Sequence, residues 1–134
     1  MKGHHYIITT GTWNLVDDDD SETFLGKGWS GNNEVGLDEN NPGMEWFKDH
    51  GPVVEGGYTL KLINPPNHLG PLAFILIPDA TNDMQGRGGF CVHGASGTHP
   101  AESSDGCIIQ ANPVRQQIDN WVMRGIDHLE ATAS

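Results

Sequence analysis

A chain of 134 residues is long enough to bury one core without disulfide staples, and residues 1–134 are read as a single domain. Eighteen glycines, eight prolines and 36% hydrophobic residues predict short strands between tight turns, hence a mainly β fold, while four tryptophans and several Val/Ile/Leu runs exclude disorder. A formal net charge of −11 opposes phosphate backbones and anionic lipid, which excludes a nucleic-acid role, and no run approaches the roughly 18 apolar residues that span a bilayer, which excludes membrane insertion.

In chain order, "MKGHHYIITTGTW" lacks the apolar core of a signal peptide, so synthesis in the cytoplasm without such a leader is expected. His4 and His5 are assigned no function. The runs "HYIITTGTWNLV" and "SETFLGKGWSG" are β-prone, and the "DDDD" between them reads as the charged tip of a hairpin rather than a calcium loop, whose spaced carboxylates and glycine are missing. "GNNEVGLDENNPG" is loop, followed by a short helical turn, "MEWFKDH", suited to dropping Met44, Trp46 or Phe47 onto a core. In "GPVVEGGYTLKLI" the alternation puts Tyr58, Leu60 and Leu62 on one face of a half-buried strand. "PLAFILIP" is a continuous apolar run, expected as a central strand covered on both faces. "GGFCVH" is a further strand with Phe90 and Val92 on one face and Cys91 and His93 on the other. "ANPVRQQIDNWVMRG" predicts the one helix, capped by Asn112 with Pro113 at its first position, striped by Val114, Ile118, Trp121 and Val122 and stopped by Gly125; "DHLEATA" returns as a last edge strand.

The chemistry concentrates in "GGFCVHGASGTHPAESSDGCIIQ", which holds both cysteines and two of the seven histidines. A thiol attacks a carbonyl as its anion, and a neighbouring imidazole or aligned N–H groups promote that ionisation. His93 stands at a strand end and Gly94 lets the chain turn away. The polar loop "ASGTHPAESSDG" then returns it to Cys107. Gly106, lacking a Cβ, permits a turn that aims the Gly106 and Cys107 N–H groups at one point, an oxyanion hole worth about 3 kcal/mol per donor.

The "VHG" step, the variable loop and "SDGCII" together resemble the signature of the L,D-transpeptidase superfamily, in which a strand-end His-Gly precedes a Ser-His-Gly-Cys loop. The chain is most similar to the L,D-transpeptidase-like peptidoglycan toxins of type VI secretion, through "GWSGNN", "NNPG", "GPVVEGGYTL" and "GRGGFCVHG" as well, from about residue 10 to 125. The resemblance implies a sandwich or barrel of short strands with the helix packed on it, Cys107 as nucleophile and His93 as general base. It further implies that Gly94, Ser104, Asp105 and Gly106 shape the site. No cofactor is implied. Its substrate would be a peptidoglycan stem peptide, attacked between meso-diaminopimelate and D-alanine, and its partners an immunity protein and the secretion machinery that delivers it to a target periplasm. Asp105 stands where the cross-linking transpeptidases carry histidine, and Ile109 where they carry arginine, which favours cleavage or D-amino-acid exchange over cross-linking.

Each of these residues has a plainer reading. Cys107 fits a small buried hydrophobe, His93 a satisfied strand-end histidine, Cys91 a packed or site-lining thiol and His99 an exposed loop residue. Arg87 suits a substrate carboxylate or, equally, a surface salt bridge with the surplus acids. Two alternatives of other classes stand beside the enzyme: a zinc module of Cys91, His93, His99 and Cys107, and a catalytically silent wall-binding domain. A Cys91–Cys107 disulfide is a further arrangement open to the two thiols.

Overall fold

The computed structural model describes residues 1–31, 39–46, 51–95 and 106–134. In chain order these form β1 (Gly3–Ile7), β2 (Thr12–Val16), β3 (Glu22–Lys27), β4 (Trp29–Ser30), a 3-10 turn (Pro42–Met44), β5 (Gly56–Leu62), β6 (Phe74–Pro78), β7 (Cys91–His93), β8 (Ile108–Ile109), α1 (Asn112–Met123) and β9 (His128–Thr132). The strands pair in the order β3-β2-β1-β9-β5-β6-β7-β8-β4. β3 and β4 close opposite ends of that order, yet only Gly28 separates them in sequence, so the chain itself joins the two edges. The result is a mainly β, nearly closed barrel with its helix in the C-terminal half. Joining the edges leaves few strand N–H groups open to pairing with another chain.

The corner at Gly28 depends on close backbone approach. Its N–H donates to the Gly11 carbonyl at 2.8 Å, and the Gln110 side-chain amide donates to the same oxygen at 3.2 Å. A Cβ on Gly28 would lie 1.7 Å from the Ile109 carbonyl oxygen, in backbone that has no room to yield. The helix docks just as closely: a Cβ on Gly26 of β3 would meet Val114 of α1 at 2.3 Å.

Period-two alternation fills the interior. Tyr58, Leu60, Phe74, Leu76, Val92 and Ile108 are almost wholly buried, and Ile118 of α1 joins their cluster. The hairpin over the aspartates is present between β2 and β3, and "HYIITTGTWNLV" is itself a hairpin of β1 and β2. In this first hairpin Trp13 Nε1 donates to His4 Nδ1 at 3.1 Å, and His4 Nε2 lies 2.8 Å from the Ile126 carbonyl, so one of the unassigned histidines is a core hydrogen-bonding group.

Four expectations need correction. β6 lies inside the sheet but is not covered twice: Ile75 and Ile77 are 41% and 44% exposed, because the lone helix packs elsewhere, against β3 and β5. β9 is not an edge strand. It inserts between β1, which it meets in parallel, and β5, which it meets antiparallel, so its Leu129 and Ala131 are core residues. Of the three side chains offered to the core by the turn, Trp46 is 60% exposed and does not fill the part; Met44 is half-buried, and Phe47 lies outside the described residues. Ala111, rather than Asn112, occupies the helix N-cap, without a side-chain bond, and Pro113 follows in the first turn. Gly125 ends the helix at φ +88°, as expected.

Replacing Gly28 by alanine should destabilise the protein by about 3 kcal/mol or more, since the added carbon collides with backbone. Gly88, around which a Cβ meets nothing within 4 Å, serves as the control and should change stability by less than about 0.5 kcal/mol on replacement by alanine. Urea unfolding monitored by tryptophan fluorescence measures both.

Candidate active site

The short strands β7 and β8 carry the site, and their pairing is parallel: Val92 faces Ile108 and His93 faces Ile109. Stepping back one residue on each strand sets Cys107 beside Cys91, and the Cys91 N–H donates to Cys107 Sγ at 3.2 Å. Alternation then sends Val92 and Ile108 into the core, which turns Cys91, Cys107 and His93 to the other face. His93 stands two residues after Cys91 on the same face of β7, pairs in register with Ile109, and is buried.

His93 is held in one tautomer. Its Nδ1 lies 2.8 Å from the Gly94 carbonyl oxygen, which only accepts, so Nδ1 carries the hydrogen and Nε2 is the basic nitrogen. Burial lowers its pKa below the ordinary 6.5; the Gly94 bond opposes this, and the charges of Arg115 and His68 add to the lowering. The imidazole is therefore neutral at neutral pH. On the sulfur side, the hydrogen bond from Cys107 brings the Cys91 thiol down to about 7 against the effect of desolvation. The Cys91 thiol thus ionises near neutrality, and the Cys91 N–H offers a donor to the Cys107 sulfur. Both cysteines are free thiols, so the disulfide arrangement is not the one adopted.

Two buried guanidinium groups stand behind the site. Arg87 donates through Nη1 to the carbonyls of Glu45 and Pro52 at 2.6 and 2.7 Å, and through Nη2 to that of Gly51 at 3.0 Å, while its plane lies 4.9 Å over the Phe90 ring. Arg87 is buried, and its contacts among the described residues include these three backbone carbonyls and the Phe90 ring. It also borders Gly106: at φ +120° this glycine packs so closely that a Cβ would sit 2.4 Å from Phe90 and 2.5 Å from Arg87. Ser30 holds the turn from the other side, its hydroxyl donating to the Gly106 carbonyl at 3.0 Å and accepting from the Val53 N–H at 2.7 Å. Arg115 plays the matching part at the His93 end. It donates to the carbonyls of Gln110, Pro71 and Leu72, and a Cβ on Gly94 would lie 2.8 Å from its Nη2. Gly94, expected on the substrate side, is accounted for by this approach and by its bond to His93.

The cysteines open onto a groove of about 570 Å³, walled by Ile63, His68, Leu69 and Ile75 and by the Gly88–Gly89 backbone. A smaller hollow of about 390 Å³, around Lys2, His5 and His128, contains neither cysteine. Ser104, Asp105 and His99 lie outside the described residues. Among the described residues, the three metal-type side chains gathered within 4.8 Å of one another are Asp79, His128 and Glu130, so Cys91, His93 and Cys107 do not form a ready zinc cage. His68 was passed over in the sequence because it carries no motif; the signal available was a histidine on a Pro/Asn/Gly turn, "NPPNHLG", leading into the apolar run of β6.

Among the described residues no helix is long and apolar enough to cross a membrane. No curated protein and no solved structure matches the chain. Residues 25–129 match the family model of the Tlde1 domain, a span running from β3 to β9 that includes both cysteines and His93, and the chain therefore belongs to the Tlde1 domain family, type VI effectors with peptidoglycan-related activity.

Proposed function

We propose that the chain is a cysteine-dependent peptidoglycan enzyme of L,D-transpeptidase type. It would act on stem tetrapeptides at the bond between meso-diaminopimelate and D-alanine, within a target periplasm, with an immunity protein as its natural antagonist. The observation that carries this reading is the Cys107 sulfur on the groove wall, activated by the Cys91 N–H, with a neutral His93 whose basic Nε2 belongs to the adjoining strand.

The chemistry follows from those groups. His93 Nε2 accepts the thiol hydrogen as Cys107 Sγ attacks the carbonyl carbon of the L-centred residue, and the oxyanion forms against the Gly106–Cys107 turn. The C–N bond breaks, His93 returns its proton to the departing D-alanine amine, and a thioester remains on Cys107. Water hydrolyses it, giving a carboxypeptidase, or a free D-amino acid captures it, giving exchange. Gly106 serves by its conformation, and Arg87 by bracing that turn, as a positioning residue rather than a substrate contact. His68, on the groove wall, would bind the D-alanine carboxylate, in place of the substrate-carboxylate contact that the sequence offered for Arg87.

Digestion of purified peptidoglycan by the wild type should remove one alanine from tetrapeptides, or exchange it, as read by muropeptide mass. Cys107→Ala and His93→Gln should both leave the profile unchanged. Identical profiles with and without the wild-type protein would sink the reading and favour a wall-binding role.

The base form of His93 is lost only as pH falls through a pKa lowered below 6.5, so kcat/KM should be level at neutral pH and drop on the acid side of 6.5. An acid midpoint above 6.5 that persists in Cys91→Ser, where the thiol ionising at about 7 is gone, would contradict a neutral, buried base. The two groove-side assignments separate in a third measurement. His68→Gln should raise KM several-fold with kcat kept, an effect absent with a tetrapeptide amide that lacks the terminal carboxylate. Arg87→Gln should instead lower the melting temperature, by about 10 °C, because buried carbonyls lose their donors.

A further inference from the structure

The mechanism above uses one sulfur, and the site contains two. Cys91 opens β7 and Cys107 directly precedes β8, its parallel neighbour, where backbones run about 4.8 Å apart, inside the range of about 4.4–6.8 Å between α-carbons that a disulfide accepts. Their side chains share a face, the Cys91 amide already touches the Cys107 sulfur, and both thiols border the same open groove. Neither is sealed in the core, and both are reduced.

We infer that the Cys91–Cys107 pair is an oxidative modification site: a small hydroperoxide converts it to an intramolecular disulfide that silences the nucleophile reversibly and shields it from permanent damage. In the first step the Cys107 thiolate attacks the peroxide, its O–O bond breaks, and Cys107 becomes a sulfenic acid as hydrogen peroxide is reduced to water. In the second, the Cys91 sulfur attacks the Cys107 sulfur, the S–O bond breaks, a second water leaves and the S–S bond forms. The two thiols thereby give up two electrons and two hydrogens to one peroxide. Two equivalents of an external thiol reverse the change by exchange.

Three features favour this course over further oxidation of Cys107. The resolving sulfur is already beside its target, so closing the ring needs rotation of side chains and no movement of strands. In the resting pair Cys107 already donates a hydrogen bond that lowers the Cys91 thiol to about 7, so the two sulfurs are in contact before any oxidant arrives. The groove admits water-sized reagents to both sulfurs. Cys91 acquires in this way a purpose that packing does not supply, since it is half-exposed and outside the hydrophobic cluster.

The inference builds on Cys107 as the proposed nucleophile, and its test has a readout independent of turnover. The reduced protein is treated with a few equivalents of hydrogen peroxide, remaining thiols are alkylated, and the peptides are weighed without reduction. A Cys91–Cys107 crosslink about 2 Da lighter than the two reduced peptides is expected, and it should disappear on treatment with dithiothreitol. The Cys91→Ser variant should accumulate sulfinic acid at Cys107. Relative to each protein's own untreated activity, the wild type should recover most of it after dithiothreitol and the variant on the order of a tenth or less. Sulfinic acid on Cys107 of the wild type, with Cys91 still a thiol, would overturn the inference while leaving the wall chemistry intact. A crosslink that forms in a protein inert towards peptidoglycan would uphold the sulfur pair and refute the proposed turnover.

Discussion

The parallel contact between β7 and β8 is the constraint on which the site depends. It spans two or three residues on each strand, too few to be stable alone, and it is held because Val92 and Ile108 are buried in the barrel core on its inner side. Alternation converts that burial into direction: whatever fixes the two aliphatic side chains inward also fixes Cys91 and Cys107 towards the groove, with His93 on the same face of β7 but covered. A slip of one residue in either strand would send a sulfur into the core and an aliphatic side chain into the groove. Position within the sheet supports the register further, since β6 covers the far edge of β7 and β4 that of β8.

Charge is used in an unexpected way for so acidic a chain. Of seven lysines and arginines, two arginines are buried immediately behind the site, each donating to several backbone carbonyls and each lying against a glycine. A guanidinium bonded to carbonyl dipoles remains charged, and a delocalised cation tolerates such an environment better than an ammonium does. The geometry explains why Gly94 and Gly106 carry no side chain. A Cβ at either would push against the guanidinium, and at Gly106 against Phe90 also. The two arginines are consequently part of the scaffold of the turns, and the Arg115 charge also helps keep His93 neutral.

Much of this was legible in the sequence because it rests on local rules. Alternation in "GGFCVH" separated Phe90 and Val92 from Cys91 and His93 correctly, and the placing of Gly106 before Cys107 pointed to the positive φ that the turn adopts. What could not be read depended on distant partners. Arg87 has no local feature that distinguishes a surface cation from one bound to carbonyls some forty positions earlier in the chain. β9 is placed centrally by its pairing with β1, which lies at the opposite end of the chain, and the exposure of Ile75 follows from where the helix does not pack. An apolar run signals burial only when something covers it, and here the uncovered face became the wall of a groove.

The division of labour between sulfur and imidazole follows from the same asymmetry of surroundings. An imidazolium beside Cys107 would stabilise a thiolate, but burial and the Arg115 charge both oppose putting a proton on His93. A donor without charge is set against the Cys107 sulfur instead, the Cys91 amide. In the mechanism we propose, an imidazole kept neutral at rest takes the proton as the C–S bond forms and returns it to the amine that leaves. The resting pair thus holds one readily ionised sulfur, that of Cys91, and the neighbour that lowers its pKa, Cys107, is also the group able to form a bond with it. Reactivity and vulnerability to oxidation share a single cause at this position, the presence of one sulfur against another.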